Sequence, residues 1–345
     1  MRFVSPQTPI HAWPELALQP VQELQGGLIN KSYRVGDPPI GALQAQHPIF
    51  PPEVNEDIEA VTTHIARKGG VTPMLVRTGL GELSHVDDEG VCWRILSWIP
   101  GCSHDRIQGP AMAREAGRAV AQWHIATADL EHDFHFSRPG AHDTQAHMDF
   151  LQAALHELPG HRLYSEVARL GERLFSAWEQ WEGRLDGPKR ISHGDLKISN
   201  IRFANSGQAI CLLDLDTMGP LSLDIELGDA ARSWCNLQGE DVLEPQFDVP
   251  IFQAAFQSYL EVNPLPTEER EALVPGVERI CLELSARFAA DALRESYFGW
   301  NPSRASGRGE HNLLRAQGQA GLARSVRSQS GTLLDALRAR GSNQV

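Results

Sequence analysis

Lysine is nearly missing from this sequence. Of its 31 basic residues only Lys31, Lys68, Lys189 and Lys197 are lysines, so a lysine inside a segment suited to phosphate chemistry carries unusual weight. Long apolar runs are missing too. No stretch of eighteen or more apolar residues occurs, which excludes a transmembrane helix and predicts no membrane partner. The opening Met1-Arg2-Phe3-Val4-Ser5-Pro6 lacks the apolar stretch and cleavage site of a secretory signal, so a soluble cytoplasmic protein is expected. The five cysteines are odd in number, scattered and never in a C-x-x-C pair, which argues against a disulfide framework or a zinc site. No G-x-x-x-x-G-K-[ST] pattern is present, which disfavours a P-loop kinase. Positive charge is short overall: 44 acidic residues against 31 basic give a formal net charge of −13. Such a surface repels nucleic acid and also ATP, so a nucleotide site here needs local cations, metal or oriented amides.

What remains is an ordinary globular composition, 41% hydrophobic and 22% charged over 345 residues. That length is too great for one compact core and suits two lobes. Residues 1–99 read as strands and turns with one helix: Val21 to Gln25, Leu28 to Val35 and Ile40 to Ala45 alternate like strands. Glu53 to Arg67 repeats apolar residues at helical spacing, and Val71 to Leu83 and Val91 to Trp98 suggest two more strands. From Pro110 helices dominate, with candidates at Ala111–Leu130, Asp149–Leu158, Ser165–Leu185, Ile251–Val262, Thr267–Arg294 and Leu313–Arg338. Ile191 to Leu215 is a strand-and-loop interruption. The expectation is an α+β bilobal fold: a β-rich nucleotide-binding N-lobe over 1–99, joined near Ile99-Pro100-Gly101 to a mostly helical C-lobe over 100–345.

The interruption carries the chemistry. In Ile191-Ser192-His193-Gly194-Asp195-Leu196-Lys197-Ile198-Ser199-Asn200, followed by Leu213-Asp214-Leu215-Asp216, two short apolar runs each deliver a carboxylate. An amide follows the first carboxylate. Phosphoryl transfer from ATP with magnesium asks for these parts: Asp195 to orient an acceptor hydroxyl, Asn200 and Asp214 to offer hard oxygens to the metal, and Lys197 to neutralise developing charge. Asp216 is a further candidate metal ligand, and Asp224 and Asp229 read as structural acids of the next helix. His132, His135, His142 and His147, interleaved with Asp133, Asp143 and Asp149, have no H-E-x-x-H spacing and read as a solvated loop. Trp123-His124 reads as core.

The His193-Gly194-Asp195…Asn200…Asp214 pattern resembles the catalytic loop and metal-binding segment of the aminoglycoside phosphotransferase and choline kinase superfamily, relatives of the protein kinases. The resemblance implies a protein-kinase-like fold and an ATP- and magnesium-dependent transfer to the hydroxyl of a small molecule. Gln25-Gly26-Gly27-Leu28-Ile29-Asn30-Lys31 resembles its glycine-rich loop, making Gly26, Gly27, Asn30 and Lys31 candidate nucleotide contacts. Ser97 and Ile99 fall where adenine would meet the hinge. One departure stands out: the third strand, Ala42-Leu43-Gln44-Ala45, has Gln44 where the superfamily places a phosphate-binding lysine. Gln44 would then contribute hydrogen bonds only, with Lys31 or an arginine supplying charge, and Glu56 or Glu59 as the helix acid. Leu43-Gln44, Lys197 and the C-terminal Arg287-Phe288…Tyr297-Phe298 and His311-Asn312-Leu313 look like the N-acetylhexosamine 1-kinase branch. That branch implies a sugar phosphorylated at its anomeric position, with Arg287 and Tyr297 as sugar contacts. An aminoglycoside, amino-alcohol or homoserine kinase is the alternative within the superfamily. A nucleotide-binding pseudokinase is the alternative outside catalysis, and the complete Asp195, Asn200 and Asp214 set speaks against it.

Overall fold

The computed structural model describes residues 9–24, 29–138 and 140–338. Gly26 and Gly27 lie outside the described residues. The small lobe is an antiparallel sheet built from β1 (Val21–Glu23), β2 (Lys31–Val35), β3 (Gly41–Ala45), β4 (Leu75–Val76), β5 (His85–Val86) and β6 (Cys92–Ser97), with helix α1 (Val54–Arg67) after β3. The strand order is β1-β2-β3-β6-β4, and β5 also pairs with β6. Alternation divides its residues between two faces. Tyr33, Val35, Leu43, Trp93 and Ile95 pack with Ile10 and Trp13 on one face. The other face presents Ser32, Gln44 and Arg94 towards the large lobe. The expected Val71–Leu83 strand shortens to two residues, because Pro73 has no backbone donor and Thr78 to Gly81 closes a turn.

The large lobe begins with α2 (Pro110–Thr127), α3 (Thr144–Glu157) and α4 (Tyr164–Glu179). Four short strands follow, β7 (Lys189–Ser192), β8 (Ile201–Phe203), β9 (Ala209–Leu212) and β10 (Gly219–Ser222). They pair as two antiparallel ribbons, β7 with β10 and β8 with β9. Helices α5 (Leu223–Trp234), α6 (Val249–Val262), α7 (Thr267–Arg294), α8 (Arg308–Ser328) and α9 (Ser330–Arg338) complete it. The expected last helix is therefore two, broken at Gln329.

Helix α7 has 28 residues, about 42 Å at 1.5 Å per residue, and forms the spine of the lobe. Helix α5 crosses it with almost no side chain between them. A Cβ on Gly228 would sit 2.9 Å from the Gly276 carbonyl carbon, so only glycine lets the two backbones approach this closely. That crossing sets the height of α5 beneath the catalytic loop. Among the described residues no helix is long and apolar enough to cross a membrane, and all five cysteines are free thiols, four of them buried.

Candidate active site

Asp195, Lys197 and Asn200 sit on the loop that leaves β7, and Asp214 follows β9. Lys197 joins the two carboxylates: its Nζ is 2.7 Å from Asp195 Oδ2 and 3.8 Å from Asp214 Oδ2. Asn200 Nδ2 donates to the Asp195 carbonyl at 2.9 Å and to Asp195 Oδ2 at 3.1 Å. The four residues expected to share one centre are thus brought together.

The loop is held from below. Gly194 has φ of +79°, and a Cβ there would run into the Thr217 carbonyl, so the turn into Asp195 requires glycine. The amides of His193 and Gly194 both donate to the Glu226 carboxylate on α5, at 2.8 and 3.0 Å. His193 Nε2 donates to the Leu213 carbonyl at 2.8 Å, which fixes its proton on that nitrogen and leaves Nδ1 to accept from the Asp195 amide at 3.3 Å. Glu226 is buried, which opposes its ionisation. His124 and His193 nevertheless hold its carboxyl below the usual range. His124 therefore does more than fill the core: its Nδ1 lies 2.9 Å from Tyr259 Oη and its Nε2 3.7 Å from Glu226.

Asp214 adopts a left-handed backbone, φ 62°, a conformation uncommon for a residue with a side chain and concentrated at functional sites. Desolvation at the cleft floor, and then the nearby Asp216 charge, push its carboxyl above the usual range despite Lys197. Lys197 moves upward too: burial opposes its charge, but Asp195 and Asp214 outweigh it. The floor is an anionic pocket short of positive charge, and its free donors are carboxylate and amide oxygens. That donor set suits a hard divalent cation such as magnesium.

Above this floor lies a cavity of about 250 Å³, lined by Asn30 just before β2, Ser32, Gln44 and Ser97 from the sheet, Ile99 from the connection between lobes, and Lys197, Asn200 and Asp214 from below. Lys31 is not among the lining residues. It shares the strand face of Tyr33 and Val35, which turn into the opposite core.

A buried cation on this side of the sheet stands on β6. Arg94 lies directly across from Gln44 in the sheet register, fully buried, and donates from Nε to Gln44 Oε1 at 2.9 Å. Its Nη1 and Nη2 grip both oxygens of Asp216 at 2.5 and 2.7 Å. Asn30 Nδ2 adds a 2.6 Å bond to Asp216 Oδ2. Asp216 is therefore the buried counter-ion of Arg94, and its engaged oxygens correct the expectation that it is a metal ligand. With Oε1 taken, the Gln44 amide nitrogen turns to Ser32 Oγ at 3.1 Å on the cavity wall. The helix acids are corrected as well. Glu59 pairs with Arg77 and Glu56 is exposed near His135, while the α1 residue that reaches Arg94 is Asn55, at 3.2 Å.

A second cavity of about 720 Å³ opens on the other side of the loop, lined by Gly194, Thr217, His142, Lys189 and Arg279 among others. Arg287 and Tyr297 line neither cavity. They meet each other through Phe298: Arg287 lies 5.6 Å above its ring and Tyr297 packs edge-on at 4.8 Å. Asp291 fixes that turn by accepting the amides of Ser296, Tyr297 and Phe298. The histidine-rich stretch is not simply solvated: His132 and His135 converge on Asp57, and His142 bonds Glu283 at 3.0 Å. Glu226, Arg94 and Asp57 had no motif around them and escaped notice in the sequence.

Residues 20–265 match the phosphotransferase enzyme family. The fold is similar to an aminoglycoside phosphotransferase from Alicyclobacillus acidocaldarius subsp. acidocaldarius, with 15% identity, 96% of this chain and 98% of that one covered, and a TM-score of 0.61. A microcompartment-associated aminopropanol kinase gives 17% identity, coverage of 94% and 97%, and a TM-score of 0.64. A choline/ethanolamine kinase family protein from Mesorhizobium loti gives 19%, 96% and 97%, and 0.57. At such identities these likenesses speak to the protein-kinase-like bilobal fold.

Proposed function

The chain belongs to the phosphotransferase enzyme family, and on that premise we propose that it transfers the γ-phosphoryl group of ATP to a hydroxyl of a small molecule. The observation that carries this reading is the cluster of Asp195, Lys197, Asn200 and Asp214 at the floor of the interlobe cavity. Lys197 and the Asn200 amide nitrogen hold Asp195 Oδ2, which leaves Oδ1 to take the acceptor's proton as its oxygen forms the new bond to phosphorus. The bond from the γ-phosphorus to the bridging oxygen breaks, and ADP departs with those electrons. Lys197 stands between the carboxylates to offset charge on the moving group. Gln44 and Ser32 line the opposite wall with hydrogen-bonding groups for the phosphates. Asp214 and the Asn200 amide oxygen are the atoms fitted to hold magnesium, which when bound would neutralise phosphate charge. Asp214→Asn is expected to lose magnesium-dependent ATP binding along with turnover, measured by nucleotide titration at varied magnesium. Unchanged affinity would remove Asp214 from that role.

For the acceptor we propose an N-acetylhexosamine or related sugar, phosphorylated at the anomeric hydroxyl. The reading rests on the sequence likeness at Leu43-Gln44 and Lys197, and on the Arg287–Phe298–Tyr297 cluster. The Arg287 guanidinium over the Phe298 ring and the 62% exposed Tyr297 ring, which lie outside both cavities, offer donors and an aromatic face to a sugar. An ATP-consumption screen with magnesium tests it against sugars, aminoglycosides, amino alcohols and homoserine. Sugar turnover that falls in Arg287→Ala is the expected result. Turnover confined to amines would replace the acceptor and leave the transfer chemistry standing.

A further inference from the structure

A second constellation lies away from the catalytic loop. Asp57, on the inner face of α1 and 1% exposed, receives the chain that follows α2. His132 Nε2 lies 2.7 Å and His135 Nδ1 3.0 Å from the same oxygen, Oδ1. The amides of His135 and Phe136 donate to Oδ1 and Oδ2 at 2.9 and 3.0 Å. None of these groups has a part in the phosphoryl transfer described above.

We propose that Asp57, His132 and His135 form a transition-metal site of the zinc class that fastens α1 of the small lobe to the segment following α2. Two imidazoles and one carboxylate are a common three-ligand set for such ions, with a fourth position left to water. The three donor atoms all lie within 4.8 Å of one another. Bonds of 2.0–2.1 Å in a tetrahedron put donors about 3.3 Å apart, so the oxygen–nitrogen separations of 2.7 and 3.0 Å need to open by about 0.6 and 0.3 Å, and the two ring nitrogens, within 4.8 Å of each other, need to settle at the same spacing.

The surroundings point the same way. Coordination through His135 Nδ1 leaves the ring proton on Nε2, and Nε2 faces the Glu56 carboxylate at 3.4 Å. A carboxylate behind a ligating histidine is the usual outer partner of such a site. The two backbone amides on Asp57 hold the carboxylate and the histidine-bearing loop in place before any ion arrives. Burial falls off in order, with side-chain exposure of 2% at Asp57, 15% at His132 and 42% at His135, which provides an entry path from solvent. Both histidines bind as neutral imidazoles by choice of tautomer, so a divalent ion with one carboxylate leaves a local charge of +1. Glu56 stands beside it.

The test uses the full chain stripped of metal by a chelator. Zinc is titrated against a chromophoric competitor in excess magnesium, which occupies the catalytic acids, and cobalt replaces zinc to report coordination by its visible absorption. One equivalent bound at micromolar affinity or tighter is expected, with tetrahedral cobalt bands and a higher unfolding temperature in zinc. His135→Ala, at the exposed end of the site, should weaken binding at least about tenfold while keeping the metal-free unfolding profile. His132→Gln should do the same and guards against a folding defect in the first variant. Absence of stoichiometric binding, or binding unchanged in both histidine variants, would overturn the proposal.

Discussion

Asp195→Asn is expected to lower turnover by about 10²–10⁴, the usual cost of removing a positioned acid–base group. ATP affinity should stay close to that of the parent chain. Asparagine keeps the size of the side chain and can still accept from Asn200, but it has no basicity to take the acceptor's proton and no charge to pair with Lys197. The nucleotide cavity is lined by Lys197, Asn200 and Asp214, which remain. A split in which kcat collapses and the KM for ATP does not is therefore the signature of a group facing the acceptor. Near-normal kcat with the true acceptor would show that the transfer does not use Asp195 as its base.

The largest effect on stability should come from Arg94. Arg94 and Asp216 are each 1% exposed, and burial costs each charge most of its hydration. Among the described residues, Arg94→Met leaves the Asp216 carboxylate with the Asn30 amide as its remaining side-chain partner. Breaking a buried pair from one side costs about 3–5 kcal/mol, which for a protein of this size lowers the unfolding temperature by roughly 4–7 °C. Adding Asp216→Leu to the same chain should recover much of that loss, because the uncompensated charge is then gone. Arg94→Lys separates fold from function. An ammonium keeps the charge but not the fork that holds Asp216 and Gln44 together, so the KM for ATP should rise more than stability falls. Calorimetry of the single and double variants decides the matter: equal destabilisation in both would mean that packing, not charge, is what Arg94 provides.

The same pair shows where the sequence was readable. Gln44 in place of a lysine announced a missing charge, with Lys31 or an arginine expected to supply it. Strand alternation sends Lys31 to the opposite face, while sheet register sets Arg94 against Gln44 from fifty residues away. Asp216 looked like a metal ligand because it stands two residues from Asp214. The left-handed backbone at Asp214 and the short turn after it direct the two carboxylates to different surroundings, one to the cleft floor and one to the buried arginine.

What the sequence determined alone was the local grouping: Asp195, Lys197 and Asn200 within one loop, and Asp214 at the end of the next ribbon. Covalent spacing and a glycine turn suffice to bring such residues together, so their order along the chain already describes their arrangement in space. The two-lobe division was legible for a similar reason, since strand alternation and helical periodicity are local patterns. Only the tertiary structure decided the partners that sit far apart in sequence. Arg94 meets Asp216 across 122 residues, Glu226 takes the amide of His193 across 33, and His132 reaches Asp57 across 75. Those pairings depend on the register of β3 against β6, on the close crossing of α5 and α7, and on where the chain after α2 returns to α1. Each is a property of how whole elements pack, and no short run of residues encodes it.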